Sequence, residues 1–238
     1  MKHLLSILLI SSTFVFSMVT NDGATLTIDN GVTVTIDGAF SNSGSVTNEG
    51  VLNINGYYDH NGGAGTYSGS GVFSLCDDPK DLHSGANLIS FYALPENNSI
   101  SNVMSSIEGV ATGVIGEGVA SSYIEDNGWI GSLSNISPTS GYWVIVDESC
   151  ELSLCDAVLT PPVTEYNLHT GANLISFLSF GNIDIGVSIP DEVEDYITGI
   201  IGEGVATANH NGTWAGSLTA FEGAKGYWVE VQSELTFS

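Results

Sequence analysis

Four residue types in this chain could do chemistry, and each recurs at matched positions of a duplicated segment. Trp129, Trp143, Trp214 and Trp228, with Tyr142 and Tyr227, offer faces on which a sugar ring can stack, and nearby Asn and Asp can bond hydroxyls. The same aromatics are what a small domain uses to fill its core, and the sequence favours that role. Glu117 and Glu203 stand between glycines on an expected strand, where a carboxylate suits calcium, although no D-x-D-x-D-G loop frames them. His83 and His169 recur too, each without a repeated Cys or second His at ligand spacing, so they read as loop or strand-entry residues.

Catalytic patterns find little support. There is no G-x-S-x-G elbow, H-E-x-x-H pair or phosphate-cradling loop, and Gly116-Glu117-Gly118 lacks the third glycine of a dinucleotide fingerprint. Plentiful acids leave a polysaccharide-active enzyme as a third reading, since pairing of carboxylates is spatial. Three cysteines, Cys76, Cys150 and Cys155, allow one disulfide and one free thiol in an oxidising compartment, with the pairing open.

The elements that must position these residues come from a duplication. Leu82 to Phe91 recurs as Leu168 to Phe177 with Ser84 against Thr170 as the one change, and Thr112 to Ala120 recurs as Thr198 to Ala206. Trp129-x-Gly131-Ser132-Leu133 maps to Trp214-x-Gly216-Ser217-Leu218, and Gly141-Tyr142-Trp143-Val144 to Gly226-Tyr227-Trp228-Val229. In each copy the pattern predicts a strand (Asn87 to Phe91), a short helix and a strand from Ile115 to Ile124. A turn at Asp126-Asn127-Gly128, a returning Trp strand and two closing strands follow. Ile100, Val103, Met104 and Ile107 give the helical spacing after Asn98 and Ser99; Pro190 shortens the second helix. The expectation is a mainly β chain with two tandem α+β modules, residues 76–155 and 167–238. A stiff linker at 156–166, holding Pro161-Pro162, would leave them as beads with limited mutual motion.

Upstream, residues 18–75 change pattern. Gly38, Gly44, Gly50, Gly56 and Gly62 are six apart, with Phe40, Val46, Leu52 and Tyr58 two after successive glycines and Asn42 and Asn48 four after. Such a period predicts a short β-solenoid, with β-hairpins packed on the first module as the alternative.

Residues 1–17, with Lys2 before an apolar run from Leu4 to Phe16, read as a secretory signal peptide cut before Met18. The run is short for a bilayer span and no second one follows, so no membrane insertion is expected after cleavage. Beyond Ser17 the chain holds 27 acidic residues against Lys80 and Lys225. Nucleic acids and anionic membranes are recognised by clustered Lys and Arg, so both are discarded as partners.

The Gly-Ala-Asn-Leu-Ile-Ser-Phe opening, central Trp strand and Gly-Tyr-Trp-Val close, covering Leu82 to Phe237, resemble repeat modules of secreted and cell-surface proteins of environmental bacteria and archaea. Ala86 and Ala172 stand where those modules usually carry Trp. The stretch from Ser45 resembles the repeats of bacterial adhesin β-helices. The resemblance implies an extracellular or cell-surface location and modularity, and no activity. The reading is a secreted surface or matrix protein, adhesive or structural and without catalysis, its partner an extracellular glycan or surface protein. Carbohydrate binding through the repeated aromatics is the alternative.

Overall fold

The computed structural model describes residues 14–54, 58–59, 65–75, 80–155, 157–160, 164–178 and 182–238. The chain is mainly β with a few short helices. It divides into two compact units: Met1–Pro79 with Ser153–Val158, and Lys80–Leu152 with Leu159–Ser238. Most of the expected signal segment lies outside the described residues; its last residues, Phe14 to Ser17, begin a strand. No described helix is long and apolar enough to cross a membrane.

The first unit is built from parallel strands. In chain order they are β1 (Phe14–Asn21), β2 (Thr25–Ile28), β3 (Thr33–Asn42), β4 (Ser45–Asn48), β5 (Val51–Ile54), β6 (Tyr58–Asp59), β7 (Thr66–Ser68) and β8 (Val72–Leu75). They form two sheets, one with β1-β3-β5-β8 adjacent and β6 also on β3, the other β2-β4-β7. Stacked partners are 18 to 21 residues apart, as in Thr33 on Val51 and Val51 on Val72. The stacking distance is therefore about three hexads, where the glycine period suggested one. Its cause is geometric, because a parallel pair needs a long crossover before the next strand can lie in register.

Phe40, Val46, Leu52 and Tyr58, the four hexad apolar residues, are all buried in this stack as expected, and Ile54 joins them. Asn42 and Asn48 are equally buried and satisfy main-chain groups. Asn48 Nδ2 donates to Val72 O (2.8 Å) and Tyr67 Oη (2.9 Å), while its Oδ1 accepts from Gly50 N–H at 3.0 Å. Asn42 Oδ1 accepts from Gly44 N–H and from Asn21 Nδ2, its parallel neighbour at 2.8 Å. These bonds replace the water that turn amides would otherwise need. The hexad glycine Gly50 is required by space, for a Cβ there would lie 2.3 Å from Val32 O.

In the second unit the two sequence repeats fold alike. The first contains β9 (Lys80–Leu82), β10 (Gly85–Ser90), β11 (Ala93–Pro95), α1 (Ile100–Val103), β12 (Ala111–Gly116), β13 (Val119–Ile124), β14 (Gly128–Gly131), β15 (Gly141–Val146) and β16 (Cys150–Leu152). After β17 (Ala157–Leu159), the second contains β18 (Tyr166–Leu168), β19 (Gly171–Ile175), β20 (Asn182–Asp184), α2 (Ile185–Ser188), α3 (Asp191–Glu194), β21 (Ile197–Gly202), β22 (Val205–Asn209), β23 (Trp214–Gly216), β24 (Ala220–Glu222), β25 (Tyr227–Val231) and β26 (Leu235–Phe237). The five-stranded sheets run β10-β15-β12-β13-β14 and β19-β25-β21-β22-β23, all antiparallel, with a bulge at the same place in each. The closing strand pairs the entry strand in both copies, β16 with β9 and β26 with β18.

Three local expectations are corrected. Ile115 to Ile124 is two strands joined by a turn at Glu117-Gly118, where Gly118 takes φ +68° and its counterpart Gly204 +72°. The first helix is one α turn followed by a 3₁₀ turn, Ser105–Ile107. In the second repeat Pro190 caps α3, but α2 precedes it, with the Asp184 carboxylate accepting from Gly186 N–H.

The largest difference concerns the repeats themselves. Ser90 N–H donates to Ala224 O (2.9 Å), Gly226 N–H to Leu88 O (3.2 Å) and Ser176 N–H to Thr139 O (3.2 Å). The repeats are bonded directly to each other, where beads on a stiff linker were expected. Each repeat supplies the residues before its Gly-Tyr-Trp strand to the free edge of the other's first strand: Ile89 bridges Lys225, and Ile175 bridges Ser140. Edge strands left open invite pairing with other chains, and each copy here covers the other's.

Candidate functional site

The turn residues Glu117 and Glu203 complete this junction. Glu203, at the β21–β22 turn, accepts from His83 Nε2 through Oε1 (2.6 Å) and from Leu88 N–H through Oε2 (2.8 Å). Glu117, at the β12–β13 turn, does the same for the other copy, bonding His169 Nε2 and accepting from Leu174 N–H at 2.7 Å. The two staples are related by an exchange of repeats, the signature of an isologous, two-fold interface. At its centre, a Cβ placed on Gly141 would lie 3.2 Å from Gly226 Cα, so both positions must stay small.

Each histidine is held locally before it meets its glutamate. His83 N–H donates to Asn87 Oδ1 and Asn87 Nδ2 donates to His83 O (2.9 and 2.8 Å); His169 and Asn173 repeat both bonds at the same distances. Asn87 and Asn173 are buried, which fixes the loop from which the ring projects. Nδ1 of each ring lies 2.9 Å from a main-chain oxygen, that of Ser84 or Thr170. A carbonyl only accepts, and so does an ionised carboxylate, so all of these contacts are satisfied together only when both ring nitrogens carry protons, which favours the imidazolium form. The glutamate bond, then the main-chain bond, raises both histidines above their ordinary value. Burial works against Glu203, yet His83 and the Leu88 amide together hold its carboxyl below the usual range.

The glutamates expected as calcium candidates are thus occupied by protein donors. Among the described residues no group of three or more His, Cys, Asp or Glu is placed to hold a metal ion.

The repeated aromatics separate by face. Tyr142 and Tyr227 are core residues, each accepting a main-chain N–H on its hydroxyl, from Ser137 and Glu222 (both 2.8 Å). Burial is the first cause that pushes Tyr227 up to about 12. Trp214 packs against the core, with Nε1 donating to Glu194 Oε1 at 2.6 Å. Trp129 meets Tyr123 edge to face, centroids 5.6 Å apart. Trp143 and Trp228 lie one residue beyond the buried tyrosines, so alternation turns them to the opposite face of each sheet, where they are half-buried.

Around Trp228 that face is flat and mostly made of small residues. Ala172, Gly199, Ala206, Ala208 and Ala215 line a shallow depression of about 420 Å³ with Trp228, and Glu230 supplies a carboxylate at its side. The first repeat carries Ile145 where the second has Glu230 and Ile130 where it has Ala215. Its open face is more apolar through Ile130 (52% exposed) and Ile145, whereas Ile115 (43%) has an equally open counterpart in Ile201 (55%), which also lines the depression.

Cys155 is disulfide-bonded and Cys150 is free; Cys76 lies outside the described residues. The histidine–glutamate pairing was missed from sequence because its partners sit over 50 residues apart in opposite repeats. Its signal was the equal recurrence of one acid and one base in both copies. Compared with protein-family models, with curated proteins and with solved structures, the chain matches none of them.

Proposed function

We propose that this is a secreted cell-surface or extracellular-matrix protein with an adhesive or structural role and no catalytic activity. On this reading residues 18–75 are a short β-solenoid spacer, and the repeats are homologous α+β modules fused into a head. One observation carries it: the repeated ionisable side chains join the two repeats, while each sheet leaves a tryptophan-bearing face open. Ionisable groups committed to a joint suit presentation of surfaces better than turnover. The acidic excess, −25 if residues 1–17 are removed, fits an exterior where salt screens self-repulsion. Beads coated with the full chain should be retained on some glycan- or protein-coated surfaces; no retention on any would contradict the adhesive role.

A second reading, carbohydrate binding, is favoured by the Trp228 depression. An indole set among alanines and glycine leaves room for a pyranose ring to lie flat, and Glu230 can accept from its hydroxyls. On a glycan array, Trp228→Ala should remove binding while Trp143→Ala reduces it less. Equal loss in both variants, or none in either, would count against the site.

A further inference from the structure

The joint between the repeats is built almost without features that tell one repeat from the other. Its hydrogen bonds use main-chain groups and the histidine and glutamate present in both copies, with Ser90 Oγ donating to Lys225 O as an addition from one copy. Gly141 and Gly226, which meet near the two-fold axis, are likewise equivalent. Lys225 replaces Ser140 in the second copy, but it contributes its main chain to the bridge with Ile89. A surface that binds a near-copy of itself through such contacts is complementary to itself.

We propose that this face also fits a second copy of the same chain, repeat one docking on repeat one and repeat two on repeat two. In a repeat-one pair His83 of each chain would meet Glu117 of the other; in a repeat-two pair His169 would meet Glu203. The inference names a homotypic partner for the adhesive reading and rests on that reading only for its biological use. Within one chain the sister repeat wins because a short tether supplies an effective concentration on the order of millimolar. Exchange between chains therefore requires only that the internal pairing lose roughly tenfold at 0.1 mM protein.

Exchanging the charges in one repeat does this. In full-length H83E/E117H, position 83 faces Glu203 and position 117 faces His169, so both internal staples oppose like groups. Pairing of repeat one with repeat one, and of repeat two with repeat two, restores every staple between chains. In H83E/E117H/H169E/E203H the internal pairing is complementary again. Light scattering at about 0.1 mM should give at least twice the wild-type mass for the double variant. The quadruple variant should return to wild-type mass, with its melting curve lowered only by the loss of the carboxylate bonds to the Leu88 and Leu174 amides. A monomeric double variant, docked or undocked, overturns the proposal; so does a quadruple variant that stays above wild-type mass. The bead-retention test of the adhesive role is independent of both.

Discussion

The two units solve one problem with different side chains. In the parallel-stranded unit the main-chain groups left over at the turns are taken up by asparagine inside a dry stack, Asn48 bonding Val72 O and Gly50 N–H. In the two-repeat unit, the main-chain groups left on the first strands are taken up at the rim by Glu117 and Glu203, each held by a histidine. A neutral amide costs little to bury when both its ends are bonded, whereas a carboxylate needs a charged partner and stays near water. The interior of the first unit should therefore ignore pH, while the joint of the second should respond to it.

Breaking the asparagine stack should have the largest effect. Asn48→Ala strips bonds from Val72 O and Gly50 N–H in a site no water reaches, a loss of about 2–4 kcal/mol. Calorimetry should show the first unit melting earlier while the transition of the second stays in place. Coincident shifts of both transitions would show that the contrast between units is mistaken.

Removing a staple should matter less, because its histidine is largely in water. Glu203→Ala should destabilise the second unit by about 1 kcal/mol, with most of the effect traced to the Leu88 amide. His83→Gln should cost a fraction of that, and a double-mutant cycle between them should give a coupling smaller than the effect of Glu203→Ala alone.

The pH response follows in size. Both histidines are raised by folding, so their contribution is complete below their unfolded value near 6.5 and fades as pH climbs through the higher folded value. Glu203 is lowered, so its contribution is complete above its unfolded value of about 4.3 and fades as pH falls through the folded one. The joint is then strongest between about pH 4.3 and 6.5. Lys225 beside His83 opposes its charging, and Glu234 beside His169 favours it, so His169 should be the later to release its proton on this account. Chemical denaturation should find the second unit selectively weaker at pH 9 than at pH 5.5, and the His83→Gln/His169→Gln variant should lose that difference. The smallest effect expected is spectroscopic: Trp228→Phe should remove more acrylamide-quenchable fluorescence than Trp214→Phe, since Trp214 packs on the core.

Much of this was legible because it depends on local pattern. The duplication, the Trp hairpin at Gly128 and the buried Phe40, Val46 and Leu52 follow from matching and alternation. The Glu117-Gly118 turn was hidden by apolar residues continuing on both sides of it, which read as one strand. The stacking distance of the parallel strands was hidden because a glycine period reports where turns fall, and three turns complete one circuit. Alternation along Gly141-Tyr142-Trp143-Val144 already separated Tyr142 from Trp143 by face, so the open tryptophans were available to closer reading. The staples were not, for a residue repeated in both copies can serve a shared core, a pair of sites, or the joint between the copies. Only the third dimension distinguishes these.

The central claim is that Glu117 and Glu203 hold the free edges of the opposite repeats through Leu174 and Leu88. Residue-resolved amide hydrogen exchange on the full chain at pH 5.5 tests it directly. Leu88, Ser90, Leu174 and Ser176 should all be protected, and Glu203→Ala should expose Leu88 and Ser90 while leaving the interior amides of β12 and β21 slow. Exchange of Leu88 and Leu174 at the rate of an open strand edge in the unmodified protein would contradict the account.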